Sequence, residues 1–122
     1  MKLREVIEIL NAEVLCGESN IDSIDAEYGY AADLMSDVLA FASHSMLLIT
    51  GLTNIQIFRT AQMLDIPAIV FVRGKKPQDD LLELAKEAEM PIILTKDSMF
   101  AACGKLYEKG LTPCIIPDRQ ED

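Results

Sequence analysis

Hydrophobic positions recur along this chain at two different periods. Leu3, Val6, Ile7 and Leu10 fall at i, i+3, i+4 and i+7, which predicts an amphipathic helix ending near Asn11. A short strand over 12–16 follows, closed by Gly17, and the polar stretch 18–22 reads as a turn. Ile24, Ala26, Tyr28 and Tyr30 then alternate with Asp25, Glu27 and Gly29. That is the period of a strand over 23–30 with one buried and one wet face. A helix over 33–42 comes next, with Asp33 or Ser36 as its cap.

From residue 46 onward the pattern becomes regular. Three strand–helix units follow, with strands over 46–50, 68–73 and 92–95 and helices over 54–65, 78–89 and 97–109. Ile66-Pro67 and Met90-Pro91 introduce the second and third of these strands. A proline there ends the preceding helix and sets an extended backbone. The strands are continuous apolar runs, such as Ala68-Ile69-Val70-Phe71-Val72, which is the pattern of burial on both faces in a parallel sheet. Leu81, Leu84, Ala85 and Ala88 keep helical spacing, as do Met99, Cys103 and Leu106. Thr53 with Gln56 matches a capping box, Pro77 suits a first helical turn and Gly110 a helix end. The expected fold is α/β, three-layered, with a mainly parallel sheet of about four to five strands covered by helices. One domain is expected over 1–116, followed by a charged tail over 117–122.

Composition narrows the function classes. Half of the 122 residues are hydrophobic, enough for a core despite a net charge of −9. Eleven Lys and Arg against twenty Asp and Glu supply no broad basic face, so nucleic acid is not an expected partner. No apolar run approaches the roughly 18–20 residues of a membrane span, and the start of the chain reads as an amphipathic helix, not a signal peptide. Cys16, Cys103 and Cys114 are widely spaced and form no C-x-x-C pair, so neither zinc nor dithiol chemistry is expected. Cys16 and Cys103 read as small core hydrophobes of a reduced, cytoplasmic protein.

Chemistry is expected where the strands end. In an open parallel sheet ligands bind beyond the carboxyl ends of the strands, where helix N-termini present free N–H groups to anions. Three loops meet that description: 50–54, 73–77 and 95–98. Their candidate ligand-binding residues are Thr50, Gly51, Asn54, Arg73, Gly74, Lys75, Thr95, Lys96 and Ser98. Arg73, Lys75 and Lys76 are the densest basic cluster in an acidic chain, which points to a phosphate-bearing metabolite or nucleotide.

Sharper motifs are missing. Gly74-Lys75 is followed by Lys76, and position 69 is Ile, so there is no phosphate loop of the G-x-x-x-x-G-K-[ST] kind. Pro91-Ile92-Ile93-Leu94-Thr95-Lys96 looks like the last strand and lysine of a response-regulator receiver. The strand that would end in a phosphorylatable Asp ends instead in Ile49-Thr50-Gly51. His44, the one histidine, reads as a surface or helix-end residue, and Asp33, Asp37, Asp79 and Asp80 as first-turn helix residues. No catalytic residue, metal site or cofactor is expected.

The segment Tyr28-Gly29-Tyr30-Ala31-Ala32-Asp33-Leu34-Met35-Ser36-Asp37-Val38 resembles the G-Y-x-x-D-L-[LM]-S-D-V signature of DRTGG-domain proteins. The stretches Ile49 to Leu52, Ile66 to Pro77 and Pro91 to Thr95 are similar to the same family. The letters of the family name do not stand together here, and Thr50-Gly51 and Arg73-Gly74 are their nearest counterparts. The resemblance implies a fold similar to the N-terminal, non-catalytic domain of HPr kinase, in bacterial or archaeal proteins. Such domains stand alone or are fused to CBS-pair regulatory regions of pyrophosphatases and to phosphotransacetylases. Homodimers also accord with the resemblance, and together with the basic loops the expected function is a non-catalytic regulatory module that binds a small anionic ligand and/or a protein partner, as a homodimer. The alternative is a purely structural assembly domain, for which Tyr28, Tyr30, Met35 and Met46 are candidate patch residues unless they belong to the core. An enzyme of unknown type has the least support, for want of a nucleophile–base pair.

Overall fold

The computed structural model describes residues 1–114; the expected tail over 117–122 lies outside them, as do 115–116. The elements run α1 (Leu3–Leu10), β1 (Glu13–Cys16), a 3-10 turn (Glu18–Ser23), β2 (Tyr28–Ala31), α2 (Met35–Phe41), β3 (Met46–Thr50), α3 (Ile55–Met63), β4 (Ala68–Phe71), α4 (Asp79–Ala88), β5 (Ile92–Leu94), α5 (Met99–Glu108) and β6 (Thr112–Pro113). The sheet order is β1-β5-β4-β3-β2-β6. Every adjacent pair is parallel except β1 with β5, which is antiparallel. The mainly parallel, helix-covered sheet expected from the apolar runs is therefore present. It has six strands because the two-residue β6, too short to carry a period, adds to the β2 edge.

All residues of β3 and β4 are buried, so alternate side chains serve two cores. Leu48, Ile69, Phe71 and Ile92 point to one face and meet Val38, Ile57, Phe58, Leu81 and Ala85 from α2, α3 and α4. Leu47, Ile49, Ala68, Val70 and Ile93 point to the other and meet Leu3, Val6, Leu10, Ala102 and Leu106 from α1 and α5. Removing these side chains from water at roughly 25 cal/mol per Å² is the main force holding the three layers together.

Several boundaries differ from the sequence expectation, each for a local reason. The alternation over 23–30 overstates β2. Residues 24–26 instead run beside the start of the chain, where Leu3 N–H donates to Ile24 O at 3.0 Å and Ala26 N–H to Met1 O at 2.8 Å. Ala26 is buried in the core between the sheet and α1 without belonging to a strand. Residues 18–22 wind into the 3-10 turn. Neither Asp33 nor Ser36 caps α2, whose N-cap is Leu34 with no side-chain bond. Thr53 does not cap α3. Asn54 does, its Oδ1 accepting from Gln56 N–H at 3.1 Å, while Thr53 O receives Gln78 N–H. Pro77 lies outside α4, whose N-cap is Gln78. On α4 the buried set is Leu81, Leu82 and Ala85, whereas Ala88 is exposed.

Cys16 is buried, and burial pushes its thiol pKa up. Cys103 is half-buried on α5 and shifts the same way for the same reason. Met46 is buried, and Tyr28, Tyr30 and Met35 pack against the α2–α4 core, so these four form no free patch. Replacing the fully buried Phe71 with Ala is expected to cost about 3–5 kcal/mol in urea unfolding. Met63→Ala, at a residue 66 % exposed, should stay within about 0.5 kcal/mol.

Candidate ligand site at the carboxyl edge

The ends of β3, β4 and β5 are stitched together by backbone bonds. Val72 N–H donates to Thr50 O at 3.1 Å and Thr95 N–H to Phe71 O at 2.9 Å. Arg73 N–H then reaches Asp97 O at 2.7 Å and Gly74 N–H reaches Thr95 O at 2.8 Å. These last two bonds need an unusual backbone. Arg73 and Gly74 both have φ +64°, in the left-handed region. For a non-glycine residue that conformation costs roughly 1–2 kcal/mol. The other non-glycine residues with positive φ, Asn11, Asp65 and Glu89, all sit at helix C-terminal ends, where the conformation is ordinary. Arg73 alone lies between a strand and a loop.

Its side chain explains its presence. The Arg73 guanidinium lies across Gly51 and donates to Gly51 O at 3.3 Å. A Cβ at Gly51 would run into that guanidinium. On the other side of the same turn Asp33 Oδ1 accepts from Gly51 N–H at 2.6 Å and from Thr50 Oγ1 at 3.3 Å. Asp33, expected as a helix cap, therefore organises the end of β3 instead.

The nine candidate residues separate into distinct roles. Thr50, Gly51 and Arg73 form the cluster just described. Gly74, Thr95 and Lys96 line a recess of about 440 Å³ with Leu10, Asn11, Glu13, Leu94, Asp97 and Lys105. Both threonines are fasteners. Thr50, 0 % exposed, accepts Leu52 N–H, and Thr95, 1 % exposed, accepts Asp97 N–H while donating to Leu10 O. Asn54 and Ser98 are N-caps of α3 and α5, and Ser98 Oγ accepts Ala101 N–H. Lys75 is exposed and lines no part of the recess. Lys105 Nζ bonds Asp97 Oδ2 at 2.9 Å.

Sequence reasoning missed Asn11, Glu13, Asp97 and Lys105. Glu13 reaches this edge because β1 runs antiparallel to β5, with Glu13 opposite Leu94. No local pattern encodes that direction. Among the described residues no group of three His, Cys, Asp or Glu side chains is placed to hold a metal ion. His44 is exposed in the connection between α2 and β3. Among the same residues no helix is long and apolar enough to cross a membrane.

Two substitutions separate strain from contact at this turn. Arg73→Gly loses a hydrogen bond of about 0.5–1.5 kcal/mol but relieves the left-handed strain, so stability is expected to stay within about 1 kcal/mol of wild type. Asp33→Ala leaves Gly51 N–H without its acceptor and should cost about 1–3 kcal/mol, read from the same unfolding curves.

The model of the DRTGG domain family matches residues 5–108. No curated protein matches the chain. Among solved structures, the fold is similar to the CBS and DRTGG domains of the regulatory region of Clostridium perfringens pyrophosphatase, solved in complex with its activator, diadenosine tetraphosphate. The TM-score is 0.71 at 20 % sequence identity, covering 86 % of this chain and 45 % of that one. This chain thus spans less than half the length of that neighbour.

Proposed function

This chain belongs to the DRTGG domain family, and from that premise we propose that it is a non-catalytic regulatory module whose carboxyl edge binds a small anionic ligand, a nucleotide or phosphorylated metabolite. The observation that carries this reading is Arg73. A residue that costs backbone strain stays at a position glycine would fill more easily, and its guanidinium is laid on the sheet's rim. Among the described residues that guanidinium makes one hydrogen bond, to Gly51 O, so most of its five N–H donors remain for a ligand. Lys75 and Lys96 stand exposed on the same rim. The fold neighbour supports the reading, since it belongs to a regulatory region and was solved with a nucleotide activator. The rim's threonine hydroxyls are tied into the fold, which fits binding better than nucleophilic chemistry.

A thermal-shift screen of nucleotides and phosphorylated metabolites tests it. A ligand at a hundred times its Kd should stabilise the fold by about 2.7 kcal/mol. That corresponds to a rise of several degrees in Tm. Arg73→Ala with Lys75→Ala is expected to abolish the rise. Flat melting curves across the screen would reject a ligand role.

A second reading, self-association, rests on a different observation. Phe100 and Tyr107 lie seven residues apart on α5, about two turns, and are 90 % and 68 % exposed. We propose this stripe as a homodimer contact. Light scattering is expected to give twice the 13.5 kDa chain mass, falling to the monomer in Phe100→Ser with Tyr107→Ser. A wild-type monomer at high concentration would sink the idea.

A further inference from the structure

Resting on the reading of this edge as a ligand site, we infer that the recess between the end of α1 and α5 takes a ribose 5-phosphate unit, either as a free sugar phosphate or within a nucleotide. The recess measures about 440 Å³, inside the roughly 300–1,000 Å³ typical of small-molecule sites. Its polar lining is mixed in charge: Lys96 and Lys105 against Glu13 and Asp97, with Asn11 beside them. Asp97 is already joined to Lys105, and Glu13 enters no ion pair among the described residues.

That arrangement selects a kind of ligand. Lys96 enters no ion pair among the described residues and Lys105 keeps N–H groups that Asp97 leaves open, so both ammonium groups can donate to the oxygens of one phosphomonoester. A longer polyphosphate would set surplus negative charge against Glu13 and Asp97. The exposed Glu13 carboxylate, in no ion pair among the described residues, can accept from neighbouring sugar hydroxyls, as an acidic side chain does for ribose in dinucleotide sites. Neither a bare phosphate nor a non-hydroxylated phosphoester would use it.

Isothermal titration calorimetry of the full chain with AMP, 2′,3′-dideoxy-AMP, ribose 5-phosphate, inorganic phosphate and ATP tests the assignment. Glu13→Gln, at an exposed position, is expected to weaken AMP and ribose 5-phosphate about tenfold while phosphate and the dideoxy compound bind no more weakly than before. Lys96→Ala should weaken every phosphorylated probe. Supporting results differ by source: AMP tighter than ribose 5-phosphate marks a nucleotide, and equal affinities mark a sugar phosphate. Equal losses for AMP and dideoxy-AMP in Glu13→Gln would overturn the inference. So would ATP binding that Arg73→Ala abolishes and Lys96→Ala leaves intact, although the wider ligand reading would then stand. If no probe binds, this inference fails, while the wider ligand reading is rejected only by flat curves across the thermal-shift screen.

Discussion

Two-sided burial of β3 and β4 is the constraint from which the rest of the structure follows. The apolar side chains of these strands are taken into one core or the other, and the one polar residue among them, Thr50, stands at the carboxyl end of β3. Parallel pairing then requires a crossover after each strand, and helices fill both faces. Polar side chains meet these strands at the rim. There the chain has already placed Asp33, Thr50, Arg73, Thr95 and Lys96.

Much of this was legible in the amino-acid order, and the pieces that were not share a cause. Apolar runs such as Leu47-Leu48-Ile49 identified the central strands because full burial writes itself into every position. The three loops of the rim followed from where those runs stop. Helix caps were harder, because Thr53 and Asn54 are adjacent and both suit the role. The choice was made by the neighbouring loop, which engages Thr53 O through Gln78. The direction of β1 was invisible, since four residues carry no mark of parallel or antiparallel pairing. With it went Asn11 and Glu13. Asp33 was visible as a residue but misread in role, because a short acid before a helix looks like a cap until the end of β3 is seen to need one.

The rim also shows how one fold separates structural from available groups. Two of its hydroxyls are fully satisfied within the protein and hold loops in register. The cations nearby are left largely unspent, and one of them is held in a backbone conformation that works against it.

The provenance of the rim carries a further consequence. Its recess is lined from residues 10, 11, 13, 74, 94–97 and 105, which belong to α1, β1, β5, α5 and adjoining loops. Loosening of α1 or α5 would therefore open the recess, whereas α2, α3 and α4 supply none of its walls.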